Sequence, residues 1–411
     1  MNLTESQRRA LLSKIETTVS EKFYDPAFDQ RDWERIVAQH KMAILTAPSA
    51  EAFEKSVKDM LQELSPKTLG LLSKTTPINP RNAINASFSV HQVGDGLRWV
   101  FQDVLPEGVA AQAGAKSGDV LLTAAGKEMR PDSEMAVEPP FEMSHEISVT
   151  VRRGTSDLSY SLRTGDPKYK DNPYSDLKAI TFSMLDHGIA YLRVSLFPGK
   201  IGIDFANEVD SLFRDRLGST RQLIIDLRGN PGGGIGGLSL MSYLTPDRLP
   251  IGYSKNRKMA REGIHPSSLP VFDKVPRSKL AIPGLALKFM NKTSVFLYTE
   301  AQGGKAFRGT VAILVNEHTT GAAEMLAQFA QENSLATIVG TKTPGRLVSR
   351  SATKLDAGYR LIVPVAAYVS AKGKQIEGNG IQPDVAVPWS FQDAVQGKDN
   401  QLAAAIEQVL R

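Results

Sequence analysis

The stretch from Thr310 to Arg350 limits the fold of this chain more than any other. Val311–Val315 is a short apolar run rich in β-branched residues, which suits a strand buried on both faces. Asn316–Thr320 are polar and turn-prone. Ala322, Met325, Leu326, Phe329 and Ala330 then recur at i, i+3, i+4, i+7 and i+8, which predicts a helix with one apolar stripe. Leu335–Val339 reads as the next strand and Gly340–Gly345 as the next turn. A turn between a strand and a helix N-terminus leaves backbone N–H groups unpaired. Anions and oxyanions are held at such places in α/β enzymes.

A second strand, Gln222–Asp226, runs directly into Leu227-Arg228-Gly229-Asn230-Pro231-Gly232-Gly233-Gly234. The glycines let backbone approach a substrate closely, and their N–H groups can face an oxyanion. No Lys-Ser/Thr follows, so the loop is not a phosphate-cradling P-loop. Alone it would be a plain strand-to-helix turn. Beside Asn316–Glu324 it becomes the second half of a site.

The two stretches together resemble the S41 serine peptidases, the C-terminal processing or tail-specific proteases. Asn316-Glu317-His318-Thr319-Thr320-Gly321-Ala322-Ala323-Glu324 is similar to that family's nucleophile turn, where the catalytic serine stands three residues before the glutamate. Here that position is Gly321. The family's catalytic lysine lies in a T-x-G-K loop, which Thr343-Pro344-Gly345-Arg346 resembles with arginine in place of the lysine. A glutamine that orients the lysine four residues on corresponds to Arg350. Lys374–Pro388 resembles the closing motif, G-x-G-I-x-P-D, so the likeness runs from about Gly188 to Pro388. It implies an S41 (crotonase/ClpP-like) α/β core domain over 173–390. Gly232, Gly233 and Ala322 are the candidate oxyanion donors, and Glu324 and Asn316 have structural roles.

The rest of the chain organises around that core as a multidomain α/β protein. Residues 1–75 read as helical, with stretches Ser6–Phe23, Asp32–Leu45 and Ser49–Leu64 and with Asp32 and Ser49 as N-caps. Lys74–Asn85 is a linker rich in Pro and Asn. Residues 86–165 form short strands, and Gly108–Gly118-Asp119 within them resembles the signature of a PDZ domain. Such a domain binds peptides by β-augmentation, with a glycine turn taking the terminal carboxylate. Gly94, Gly96 and Leu97 are the candidate carboxylate loop, although the charge of Asp95 opposes a carboxylate. A β-rich spacer that binds nothing is the plainer reading. Residues 391–411 read as a C-terminal helix.

Composition excludes several functions. The 411 residues contain no cysteine, so disulfides, thiolate metal sites and a cysteine nucleophile are ruled out. The readings call for no cofactor, no metal and no nucleic acid. The N-terminus has no apolar signal core, so the chain as written reads as cytoplasmic, and as exported only if a leader was removed. The net charge of +5 is concentrated: Lys255–Arg308 holds eleven Lys/Arg against three Asp/Glu, or +8, leaving −3 elsewhere. This basic insertion (255–308) is a candidate contact for an anionic membrane surface or an acidic partner.

Chemistry then separates three readings. The S41 reaction needs a serine hydroxyl and a neutral lysine to take its proton. Gly321 has no hydroxyl, and a guanidinium stays protonated at ordinary pH. The first reading is a peptidase by ancestry that binds polypeptide C-terminal tails without cleaving them. A second is a hydrolase with a relocated nucleophile, Thr320 or Thr319, served by His318 or Lys342. A third is a small-molecule carrier on the same fold.

Overall fold

The computed structural model describes residues 3–25, 27–64, 69–73, 84–94, 96–136, 138–139, 146–163, 177–199, 201–218, 220–292 and 294–411. Asp95 and most of the 74–85 linker lie outside them.

Three helices open the chain: α1 (Glu5–Lys22), α2 (Gln30–Leu45) and α3 (Ala50–Gln62). Thr4, Asp29 and Ser49 cap them, each accepting a backbone N–H from the first turn. Asp32 is therefore a first-turn residue and not the cap, because Asp29 takes the Arg31 N–H and starts α2 earlier. Strand β1 (Gly70–Leu72) follows. Trp33, Phe53 and Val57 share one core with Leu355, Tyr359, Leu361 and Val363. The helices thus bury their apolar faces on the far end of the core domain.

The middle unit contains β2 (Ala86–Val93), β3 (Gly96–Val104), α4 (Val109–Gln112), β4 (Val120–Ala124), β5 (Lys127–Glu128), β6 (Glu146–Arg153) and β7 (Ser156–Arg163). Its antiparallel sheet runs β2-β3-β4-β6-β7, with β5 on β4. Phe88, Trp99, Phe101, Leu121 and Val149 fill its core.

The remainder holds β8 (Ile180–Met184), β9 (Ala190–Val194), α5 (Ile203–Asp215), β10 (Gln222–Asp226), α6 (Gly237–Tyr243), β11 (Pro250–Lys255), α7 (Arg257–Arg261), β12 (Val271–Phe272), α8 (Ile282–Phe289) and β13 (Phe296–Tyr298). It continues with β14 (Thr310–Val315), α9 (Ala322–Glu332), β15 (Thr337–Gly340), β16 (Val348–Lys354), β17 (Arg360–Ser370), β18 (Val385–Ala386), α10 (Phe391–Val395) and α11 (Asn400–Leu410). The main sheet runs β18-β15-β14-β10-β9-β8, parallel except for β8. Leu223, Ile225, Ile313 and Val315 face α5, α6 and α9, while Ile224, Ala312 and Leu314 face Ala405 and Val409 of α11. Helices on both faces explain the unbroken apolar runs of β10 and β14. A second sheet, β1-β17-β11-β13-β12 with β16 on β17, draws β12 and β13 from within 255–308. That stretch therefore contributes strands to a sheet shared with β17.

Candidate functional site

The two turns singled out in the sequence lie backbone against backbone at the C-terminal ends of β10 and β14. The Thr320 N–H donates to the Asn230 carbonyl (2.8 Å), and the Gly229 N–H donates to Asn316 Oδ1 (3.0 Å). A Cβ at Gly232 would come within 2.8 Å of the Thr320 carbonyl and 3.0 Å of the Ala322 nitrogen, and φ there is +87°. Only glycine permits that approach.

Of the three expected oxyanion donors, one is already committed. The Gly232 N–H donates to Asn230 Oδ1 at 2.7 Å. The N–H groups of Gly233 and Ala322 have no acceptor among the described residues. Two of the three are thus uncommitted, one of them at the N-terminus of α9.

Gly321 precedes α9 with φ +64° and ψ −126°. A Cβ there would meet the Gly232 Cα at 3.3 Å, the Pro231 carbonyl at 3.6 Å and the Arg346 carbonyl at 4.0 Å. Any side chain at 321 would leave the turn between the glycine loop and the 341–347 loop. Positive φ at the strand-to-helix turn is also how nucleophile elbows present their serine.

Glu324, the third residue of α9, holds the two turns in register. Its Oε1 accepts from the Thr343 hydroxyl (2.6 Å) and the Gly345 N–H (2.7 Å). Its Oε2 accepts from the N–H groups of Arg346 (2.9 Å) and Gly321 (3.1 Å). Burial pushes this carboxyl up, and the four donors offset only part of that shift. The Thr343 hydroxyl in turn accepts the Ile381 N–H (2.8 Å), so the G-x-G-I-x-P-D motif serves to fix the loop carrying Arg346.

Arg346 and Arg350 are both exposed, and Arg350 lies on β16 at an irregular pair with Pro364. Their guanidiniums make no ion pair among the described residues, but both act on Glu377, which accepts the Leu347 N–H (2.6 Å). Burial raises the Glu377 carboxyl, Glu324 adds to the rise, and the two arginines work against it. Glu377 was not legible as a site residue, since only folding brings it to the Arg346 loop.

The relocated-nucleophile expectation is not met by the geometry. The Thr319 hydroxyl is fully buried and committed, donating to the Leu227 carbonyl (2.9 Å) while accepting the Asn316 N–H (2.9 Å). Thr320 is half-buried, and among the described residues no base lies within hydrogen-bond distance of its hydroxyl. The His318 ring is 3.9 Å from Glu317, and Lys342 points to solvent.

The middle unit docks on this turn. Asn316 Nδ2 donates to both Asp103 oxygens (3.0 and 2.9 Å), and the Ser87 hydroxyl donates to the same carboxylate (2.5 Å). Gln102 donates to Glu317 (2.6 Å). At the other end of β2, His91 stacks on Phe391 (5.2 Å between centroids). Gly94, Gly96 and Leu97, the expected carboxylate loop, flank Asp95 where β2 meets β3, with pairs Val93–Gly96 and Gln92–Leu97; Asp95 itself lies outside the described residues.

Beneath the glycine loop lies a buried ionic cluster. Asp226 accepts from Arg193 (2.7 Å), Arg228 (2.6 Å) and the Tyr191 hydroxyl (2.6 Å), and Arg228 also reaches Asp399 (2.7 Å). Burial alone would raise the Asp226 carboxyl. The two guanidiniums outweigh it and hold the group far below the carboxylate range. The sequence signal was present: Arg193 and Asp226 are charged residues in otherwise buried strands, and such residues must be paired.

Layers, turns and loop together define a multidomain α/β protein. Residues 188–387 match peptidase family S41. It is 24% identical to the carboxyl-terminal-processing protease of Picosynechococcus sp., over 90% of this chain and 81% of that one. It is 23% identical to the chloroplastic carboxyl-terminal-processing peptidase 3 of Arabidopsis thaliana, over 92% of this chain and 68% of that one. The solved photosystem II D1 C-terminal processing protease shares the fold with a TM-score of 0.55 at 16% identity, covering 94% of this chain and 96% of that one.

Proposed function

We propose that this protein binds polypeptide C-terminal tails at its S41 site and does not cleave them. The observation that carries the reading is Gly321. The backbone around it is arranged as for a nucleophile, with two uncommitted N–H donors and a four-fold anchored Glu324, yet no attacking atom is present. Arg346, where the family resemblance places the base, can attract a carboxylate but cannot take a proton. The names of the relatives, which process carboxyl termini, support a polypeptide tail as the ligand. The 86–165 unit supports the same reading, because β2 lies at the edge of its sheet where an extended peptide can add.

Fluorescence anisotropy with one unstructured peptide, prepared as free acid and as C-terminal amide, tests the reading. The acid should bind at least about tenfold tighter, which corresponds to ~1.4 kcal/mol. The double variant Arg346→Ala with Arg350→Ala should reduce that preference. Equal affinity for acid and amide would sink carboxylate recognition.

A further inference from the structure

Helix α8, Ile282–Phe289, is apolar at every position but Lys288. Leu285 and Phe289 pack on the main core. A surface helix places polar residues on its opposite face, but here Pro283, Gly284, Ala286 and Leu287 face solvent and no residue of the helix is fully buried. Leu280, Leu287 and Met290 are 92%, 70% and 58% exposed.

The charge along this segment is of one sign. Lys279, Lys288 and Lys292 are exposed and make no ion pair among the described residues, and no Asp or Glu occurs between Asp273 and Glu300. Four other cations of the basic stretch are committed, while Lys255, Arg261, Lys305 and Arg308 are exposed and make no ion pair among the described residues. Lys274 pairs with Glu300 (2.7 Å), Arg277 with Asp210 (2.5 Å) and Lys258 with Glu262 (3.9 Å), and Arg257 donates to the Ser20 carbonyl. Three of the seven exposed cations of the stretch that make no ion pair therefore gather around α8.

We propose that residues 279–292 dock on an anionic lipid surface. Leu280, Leu287 and Met290 enter the headgroup boundary, and the three lysines meet lipid phosphates. A second copy of the chain suits this face poorly. A two-fold contact would set lysine against lysine with no acid in residues 274–299 to answer them, and an eight-residue helix is only about 12 Å long. A stable protein interface needs roughly 800 Å² per partner. A bilayer needs neither shape nor charge complementarity beyond its own phosphates. Among the described residues no helix is long and apolar enough to cross a membrane, so the contact is one of lying on the surface.

Co-sedimentation of the full chain with vesicles of phosphatidylcholine, with and without phosphatidylglycerol, at low and high salt, tests this. Wild type should pellet with the anionic vesicles at low salt and about tenfold more weakly with phosphatidylcholine alone. Leu280→Asp with Leu287→Asp, both at exposed positions, should keep its melting temperature and lose vesicle binding about tenfold or more. Lys279→Gln, Lys288→Gln and Lys292→Gln together should remove the salt dependence. No binding to anionic vesicles at low salt would overturn the proposal, as would an unaffected double Asp variant. Light scattering that shows a wild-type dimer, made monomeric by the Asp pair, would assign the face to a second copy instead.

Discussion

Replacing Glu324 should loosen the loops it joins, and the geometry sets the size of the effect. Its carboxylate serves four donors: the Thr343 hydroxyl and the N–H groups of Gly345, Arg346 and Gly321. At a net ~1 kcal/mol per buried hydrogen bond, Glu324→Ala loses about 4 kcal/mol. Burying the carboxylate already costs something, as its raised pKa records, and removing it returns part of that loss. The expected destabilisation is about 3 kcal/mol. Glu324→Gln keeps one carbonyl oxygen and sets an NH2 against two donors, so about 2 kcal/mol is expected. Urea unfolding followed by far-UV circular dichroism measures both changes. Amide exchange at Gly345 and Arg346 should accelerate more than exchange in β14. A Glu324→Ala protein within ~1 kcal/mol of wild type, with slow exchange at both amides, would refute the view that this carboxylate joins the two loops.

Other perturbations follow from the buried charges. Asp226→Asn leaves Arg193 buried without a carboxylate, and Arg228 with Asp399 alone, and should cost about 3–5 kcal/mol at neutral pH. Because the folded carboxyl titrates far below its unfolded value of about 4, its stabilisation is present above that pH and lost as pH falls through the folded value. The deficit of the variant, read by thermal melts, should therefore shrink in acid. A deficit that grows in acid would contradict it. Glu377 has the opposite sign. Its carboxyl is raised in the fold, so its contribution is most favourable below the unfolded value near 4.3 and is lost as pH rises through the folded value. The melting temperature of Glu377→Gln, relative to wild type, should become more positive between pH 4 and pH 7. A flat difference would show that burial does not govern this group.

What the sequence made legible was whatever rests on local pattern. The apolar runs of β10 and β14 and the stripe of α9 lie where periodicity placed them, because helices on both faces of the sheet demand such runs. Glu324 was legible as an N3 residue, since capping is a relation three residues long. Its bonds to Thr343, Gly345 and Arg346 were not, because they join loops that only the fold brings together. The Asp103–Asn316 contact was hidden for the same reason, across 213 positions. The oxyanion expectation went astray at Gly232, where a side-chain acceptor two residues away, Asn230, takes the N–H that the glycine run seemed to offer.

The account stands most directly on one comparison of peptide products. Wild type, Gly321→Ser, and Gly321→Ser with Arg346→Lys would each be incubated with an unstructured C-terminal tail peptide, and the products read by mass spectrometry. Wild type should return the peptide intact. The double variant should yield some cleavage, because each surviving N–H donor can be worth roughly 2.7–4 kcal/mol of barrier. The serine variant alone should yield much less, having no base. Serine at φ +64° stores about 1–3 kcal/mol of strain, so recovery will be partial. Specific cleavage by wild type, abolished by Thr320→Ala and absent from mock-purified controls, would contradict the account.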